Sequence, residues 1–226
     1  MAGHAGFDSA AYPGDACMAW LKANTNLEWC GDYRGPAASY SGASWITQQG
    51  ALSAAGWGLA PIYVGEQVVP PGSQNPSAAK GTADGADAVQ LLAGDGFAPG
   101  TCVLLDLEDG SLPQALSDYT GAWIDAVAAG GFQPGVYCSH VIAGQVNAVR
   151  SSVPIRAFKV PTNTAHPAAG PPFRDDDPAA SGYAAAQGWQ LAQNGLINVP
   201  PAPAGRLQVD MSSALSPNPG APAAVA

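Results

Sequence analysis

The first 150 residues alternate between short apolar runs and alanine-rich stretches, and few folds accept that rhythm. Strand-like runs fall at Gly6–Ser9, Leu27–Tyr33, Leu59–Val64, Cys102–Leu107 and Gly135–Ser139. Helix-like stretches follow them at Ala16–Ala23, Ser44–Ala55, Ala83–Ala93, Leu112–Ala129 and Ile142–Val149. In the fourth, Leu112, Leu116, Tyr119, Trp123 and Val127 recur at spacings of three and four, which stacks them on one helix face. Gly130-Gly131 then supplies a stop. Strand–helix repetition with short connections predicts an α/β fold around a parallel sheet, either open and doubly wound or closed into a barrel. No Gly-rich phosphate loop follows the first strand, so a nucleotide site has no support.

After residue 150 the rhythm breaks. Ile155–Val160, Gly188–Ala192 and Arg206–Met211 read as strands with no convincing helix between them. Residues 161–187 form a long Pro/Gly/Ala-rich loop whose Asp175-Asp176-Asp177 lacks the spacing of a calcium loop and reads as a solvated turn. The organisation predicted is one domain over residues 1–215, followed by a Pro/Ala-rich tail or linker stub over residues 216–226.

Charge narrows the partners. With 17 acids against 8 bases the net charge is -9, which argues against nucleic acid, because phosphate contacts need clustered Lys and Arg. No run of about 18 apolar residues predicts a membrane span, and the N-terminus lacks the cationic start and apolar core of a signal peptide. Cys17, Cys30, Cys102 and Cys138 form no Cys-x-x-Cys pair and read as buried thiols, with a Cys17–Cys30 bridge as the alternative. His4, His140 and His166 are scattered, so a zinc site has no support; a magnesium site on Asp106, Glu108 and Asp210 ranks third among the readings, and no cofactor is expected.

The strongest chemical signal is Leu104-Leu105-Asp106-Leu107-Glu108-Asp109. Residues i and i+2 of a strand share a face, so Asp106 and Glu108 project together from the strand's C-terminal end, where parallel α/β proteins place their active sites. Like charges held close raise at least one pKa, and glycoside cleavage needs such a proton donor beside a second carboxylate. Asp8 ends the first strand and Asp210 the last; a closed sheet makes those strands neighbours and gathers all four acids at one mouth. Polar and aromatic groups recur at the other strand ends: Tyr33 and Arg34, Tyr63 and Glu66, Tyr137 and His140, Trp189 and Gln190. Together they suggest a polysaccharide cleft with apolar walls and a few hydrogen-bonding groups.

The ordered segments Gly6-Phe7-Asp8-Ser9, Leu105-Asp106-Leu107-Glu108-Asp109, Trp189-Gln190 and Val209-Asp210-Met211 resemble those of glycoside hydrolase family 25 lysozymes. Pro61-Ile62-Tyr63-Val64-Gly65, residues 81–88 and Gly135-Val136-Tyr137 make the chain more similar still to the glycoside-hydrolase-like domains of bacterial and phage proteins. The resemblance spans residues 5–215 and implies a modified TIM-type (β/α) barrel, with five βα units followed by strands with few helices. It also implies cleavage of a peptidoglycan-like glycan, with Glu108 as general acid. Asp106 would stabilise the cationic centre or orient the substrate amide, and Asp8 and Asp210 would tune the site. An extracellular, cell-envelope or virion-associated location goes with that substrate. The alternative on the same barrel is a glycan-binding or structural module without catalysis.

Overall fold

The computed structural model describes residues 3–35, 44–66, 68, 75–159 and 170–222. Five βα units come first: β1 His4–Asp8 with α1 Asp15–Asn24, β2 Trp29–Arg34 with α2 Gln49–Ala54, β3 Gly58–Val64 with α3 Ala78–Gly94, β4 Cys102–Leu107 with α4 Gln114–Ala129, and β5 Gln133–Ser139 with α5 Ala143–Val149. Strands β6 Ile155–Phe158, β7 Gly188–Asn198 and β8 Arg206–Ala214 follow, separated only by short 3-10 turns at Pro178–Ser181 and Pro203–Gly205. The eight strands close into a barrel in sequence order. Strands β1 to β7 run parallel, and β8 pairs antiparallel with both β7 and β1. Of the two arrangements the rhythm allows, the closed one is adopted, and Asp8 stands opposite Asp210 in the β1–β8 ladder.

Strand alternation divides the side chains into two sets. Phe7, Cys30, Tyr63, Val103, Leu105, Leu107, Val136, Cys138 and Ala157 face the helices and make the main core. There α4 buries Leu116, Tyr119, Trp123 and Val127, the stripe predicted from their spacing. Helix α3 lies close against α4 because Gly81 and Gly85 face it; a Cβ at Gly81 would stand 2.2 Å from the Tyr119 carbonyl oxygen. Inside the barrel, room is made by small residues: a Cβ on Gly6 would fall 2.1 Å from the Trp29 ring. That indole fills the lower barrel and donates its N–H to the His4 carbonyl at 2.9 Å. All four cysteines are buried and unbridged, and burial pushes the thiols of Cys102 and Cys138 up to about 12.

The C-terminal segment is part of the barrel's base. Asn218 Oδ1 accepts from the Leu59 N–H at 2.9 Å, Gly220 N–H donates to the Leu59 carbonyl at 2.7 Å, and Cys102 N–H donates to the Gly220 carbonyl at 3.0 Å. The β3–β4 ladder begins only at Ile62–Leu104, so residues 218–220 satisfy the strand ends below it. A tail or linker stub was expected from the Pro/Ala composition, but residues 216–222 are docked; residues 223–226 lie outside the described set. Truncation after residue 215 is expected to lower the thermal midpoint by several degrees, as unpaired backbone groups each cost about 1–3 kcal/mol. An unchanged midpoint in calorimetry would reduce the segment to an appendage.

Within the long loop, Asp175 and Asp176 are more than a solvated turn: their carbonyls accept from Gly3 N–H at 2.6 Å and Ser213 Oγ at 2.6 Å. Asp177 caps the following 3-10 turn through Ala179 N–H at 3.0 Å. Val160, expected in the sixth strand, and residues 161–169, including His166, lie outside the described residues.

Candidate active site

The inward-facing residues toward the mouth at which β1 and β4 end form the site, with β7 contributing near its start and the antiparallel β8 from its middle. Strand β1 brings Asp8, β2 Tyr33, β4 Asp106 and, just past its end, Glu108; β5 brings Tyr137, β6 Arg156 and Phe158, β7 Gln190, and β8 Asp210 and Ser212. The registers put Gly6 beside Trp29, Asp106 beside Tyr137, and Tyr137 beside Arg156, so these side chains share the interior.

Two hydrogen-bonded chains hold the floor. Arg156 Nη2 donates to Asp8 Oδ2 and, at 2.7 Å, to Ser212 Oγ, while Tyr33 Oη donates to Asp8 Oδ1 at 2.9 Å. The Arg156 guanidinium lies 5.4 Å from the Trp29 ring and 5.0 Å from the Tyr137 ring. On the other side, Tyr137 Oη donates to Gln190 Oε1, Gln190 Nε2 donates to Asp210 Oδ2 at 2.9 Å, and Asn194 N–H donates to Asp210 Oδ1 at 2.6 Å. Asp106 is buried, and its Oδ1 has no hydrogen-bond partner among the described residues. Above this floor a cavity of about 340 Å³ is lined by Glu108, Tyr137, Ser139, His140, Phe158, Lys159, Gln190 and Gln193. That volume lies within the ~300–1,000 Å³ of small-molecule sites. The Tyr137 and Phe158 rings, 5.2 Å apart, form its apolar wall.

One guanidinium faces four carboxyls, and the protons distribute accordingly. Burial lifts the Asp106 carboxyl well above the usual range, and Glu108 and Asp8 push it further. Asp210 is raised to about 7, first by burial and then by Asp8, against the opposing pull of the Asn194 N–H and Arg156. Glu108 is exposed at the surface, yet protein crowds its carboxyl. Its pKa is raised, by burial first and by Asp8 and Asp109 next. Asp210 therefore titrates near neutral pH, and Asp106 and Glu108 keep their protons to higher pH than free carboxyls do, the direction that acid catalysis favours.

Asp210 has a measurable consequence. Its unfolded pKa is about 3.9, so between about 4 and 7 the folded state binds more protons than the unfolded one. Its contribution is therefore fully present at low pH and is lost as pH rises through about 7. Asp210→Asn is expected to flatten the decline in thermal midpoint across that window; an identical pH profile for both proteins would refute the assignment.

Several residues expected at the site are elsewhere. Arg34 and Tyr63 occupy the alternate positions of their strands and turn toward the helices. Arg34 is buried between Asp32 and Asp95, with Nη2 2.6 Å from each carboxylate, and stacks 4.8 Å over Phe97. Tyr63 packs on Trp123 at 6.0 Å and donates to Asp87 Oδ2 on α3 at 3.0 Å. Trp189 likewise takes the outer face, in register with Ala157 and Ser213, because its neighbour Gln190 points in. Glu66 pairs with Lys80 at 3.0 Å at the start of α3. Tyr33, Tyr137, His140 and Gln190 do join the four acids. The sequence reading missed Arg156, Ser139, Phe158, Lys159, Gln193 and Ser212. Arg156 had a signal, a cation inside the apolar strand Ile155–Phe158. The rest had none, being ordinary residues whose position alone matters. Among the described residues no group of three or more His, Cys, Asp or Glu is arranged to hold a metal ion.

Comparison with known proteins extends this picture. No curated protein matches the chain in sequence. Among solved structures, the fold is similar to GHIP, a glycosyl hydrolase 25 of Streptococcus pneumoniae (TM-score 0.63, 12% identity, 94% of this chain and 87% of that one). It is similar also to the Clostridium perfringens spore cortex lytic enzyme SleM (0.61, 15%, 94% and 67%). The Mycobacterium tuberculosis Tat-secreted protein Rv2525c is a third such relative (0.59, 16%, 96% and 98%). At these identities the likeness is one of fold, the modified barrel that the glycosyl hydrolase 25 GHIP also adopts. The model of the Rv2525c-like, glycoside hydrolase-like domain matches residues 29–198, three quarters of the chain, and it is to this family that the chain belongs.

Proposed function

We propose that this protein is a glycosidase that cleaves a cell-wall, peptidoglycan-like glycan. The observation that carries the reading is Glu108, just past the end of β4, lining a cavity walled by Tyr137 and Phe158, with Asp106 buried in the floor two residues before it and both carboxyls raised in pKa. Glu108, the acid that lines the cavity, protonates the glycosidic oxygen. Asp106, deeper and with an unpartnered oxygen, receives the substrate's amide or steadies the positive charge that develops at the anomeric carbon. Asp8, tied to Arg156 and Tyr33, and Asp210, tied to Gln190, set the charge against which both acids titrate. Tyr33, Tyr137, His140 and Gln190 bind the sugar. No cofactor enters this chemistry.

The names of the relatives favour the same substrate: one is a spore cortex lytic enzyme, one a glycosyl hydrolase 25, and one a Tat-secreted protein. A cell-envelope location fits that setting. No helix among the described residues is long and apolar enough to cross a membrane. The test is to incubate the protein with peptidoglycan and a panel of other polysaccharides and to look by mass spectrometry for new reducing ends. Products from the wild type establish cleavage, and their mass names the bond. Saturable binding without products would instead assign the glycan-binding module.

A further inference from the structure

The charge around the cavity contains one cation that the proposed chemistry does not use. Of the lysines, Lys22 is held by the Gly56 carbonyl at 2.7 Å and Lys80 by Glu66 at 3.0 Å. Lys159, at the end of β6, lines the cavity, is exposed, and has no ion-pair or hydrogen-bond partner among the described residues. Arg156 is no substitute, because it is buried beneath the cavity and committed to Asp8. Nor does Lys159 serve to neutralise the acid: what moves Glu108 is burial, Asp8 and Asp109.

An anionic substrate approaching a protein of net charge -9 is repelled. A lone ammonium at the rim offsets that repulsion locally and gives a negative group one place to sit. Gln193, which lines the same cavity, makes no hydrogen bond among the described residues and offers an amide N–H to the same group. His140 donates Nδ1–H to the Phe158 carbonyl at 3.2 Å, since a carbonyl can only accept. Its Nε2 is then left as an acceptor for a sugar hydroxyl. A single ammonium with an amide matches a singly charged carboxylate better than a dianion, which would meet Glu108 across the cavity.

We infer that Lys159 is a specificity-determining residue, selecting a glycan that carries a free carboxylate, such as a uronic acid or a lactyl ether stripped of peptide. This rests on the glycosidase reading and narrows its substrate. In intact peptidoglycan the lactyl carboxyl is tied up in an amide, so the preferred substrate is an acidic or peptide-free strand.

The test uses the full chain carrying Glu108→Gln, so that binding is read without turnover. Two probes are titrated by calorimetry: peptide-free glycan-strand oligosaccharides with their carboxyls intact, and the same oligosaccharides after reduction of the carboxyls to alcohols. The intact probe is expected to bind roughly tenfold more tightly, the worth of one charged hydrogen bond. Adding Lys159→Met is expected to bring the intact probe down to the affinity of the reduced one and to leave the reduced one unchanged. Equal binding of the two probes, or a Lys159→Met loss shared by both, overturns the charge selection while leaving the glycan reading standing. Binding of neither probe overturns both.

Discussion

Glu108→Gln is expected to lower glycan cleavage by about 10²–10⁴-fold, the usual contribution of a positioned general acid. The substitution keeps the shape of the side chain and removes the transferable proton. Glu108 is exposed at the mouth, and its carboxyl makes no hydrogen bond among the described residues, so the stability is expected to stay within about 0.5 kcal/mol of the wild type. That pairing of a large kinetic effect with an unchanged fold is the signature of an acid that works on substrate. Undiminished product release would remove Glu108 from the role and turn attention to Asp106, whose pKa burial also raises. Asp106→Asn would be measured alongside, because the two carboxyls share one proton balance and titrate as a set.

Arg156→Met is expected to destabilise the protein by about 3–5 kcal/mol, the cost of stripping a buried carboxylate of its partner. The guanidinium is 4% exposed and Asp8 is 1% exposed, so water cannot take over. Without Arg156, Asp8 retains only the Tyr33 hydroxyl among the contacts described above. The double variant Arg156→Met with Asp8→Asn is expected to recover much of the loss, because it removes the orphaned charge along with the pair. Urea denaturation of the single and double variants measures both terms. Additive losses would show that the two side chains act independently and that Arg156 matters through its packing on Trp29 and Tyr137 alone.

The rhythm of the first 150 residues was enough for five βα units, since the period of apolar residues reports which face an element buries. Strand Cys102–Leu107 was legible to the residue, and α4 nearly so. Boundaries failed where polar context blurred the period. Helix α3 begins at Ala78, ahead of the expected start, where the Ser77 side chain accepts from the Lys80 N–H at 3.3 Å. Helix α2 is short, covering only Gln49–Ala54. Strand β7 runs on to Asn198, because the antiparallel β7–β8 ribbon continues beyond the parallel barrel with two register shifts. Polar residues there keep their backbone bonds without a buried face to announce them.

What the sequence determined by itself is local. It placed Asp8, Asp106 and Glu108 at strand ends, because apolar runs stop where the chain leaves the core; Asp210, expected to end the last strand, instead lies in the middle of β8, which runs on to Ala214 in its antiparallel pairing with β1. It put Asp106 and Glu108 on one face, because strand side chains alternate. Tertiary structure decided which face looks inward, and so it set Tyr33 inside but Arg34 and Tyr63 outside, and separated Gln190 from Trp189. Closure of the sheet brought Asp8 opposite Asp210 and carried Arg156 to Asp8 across 148 residues of chain. Proton distribution followed from that closure alone, since burial and the distances between charges exist only once distant strands are neighbours.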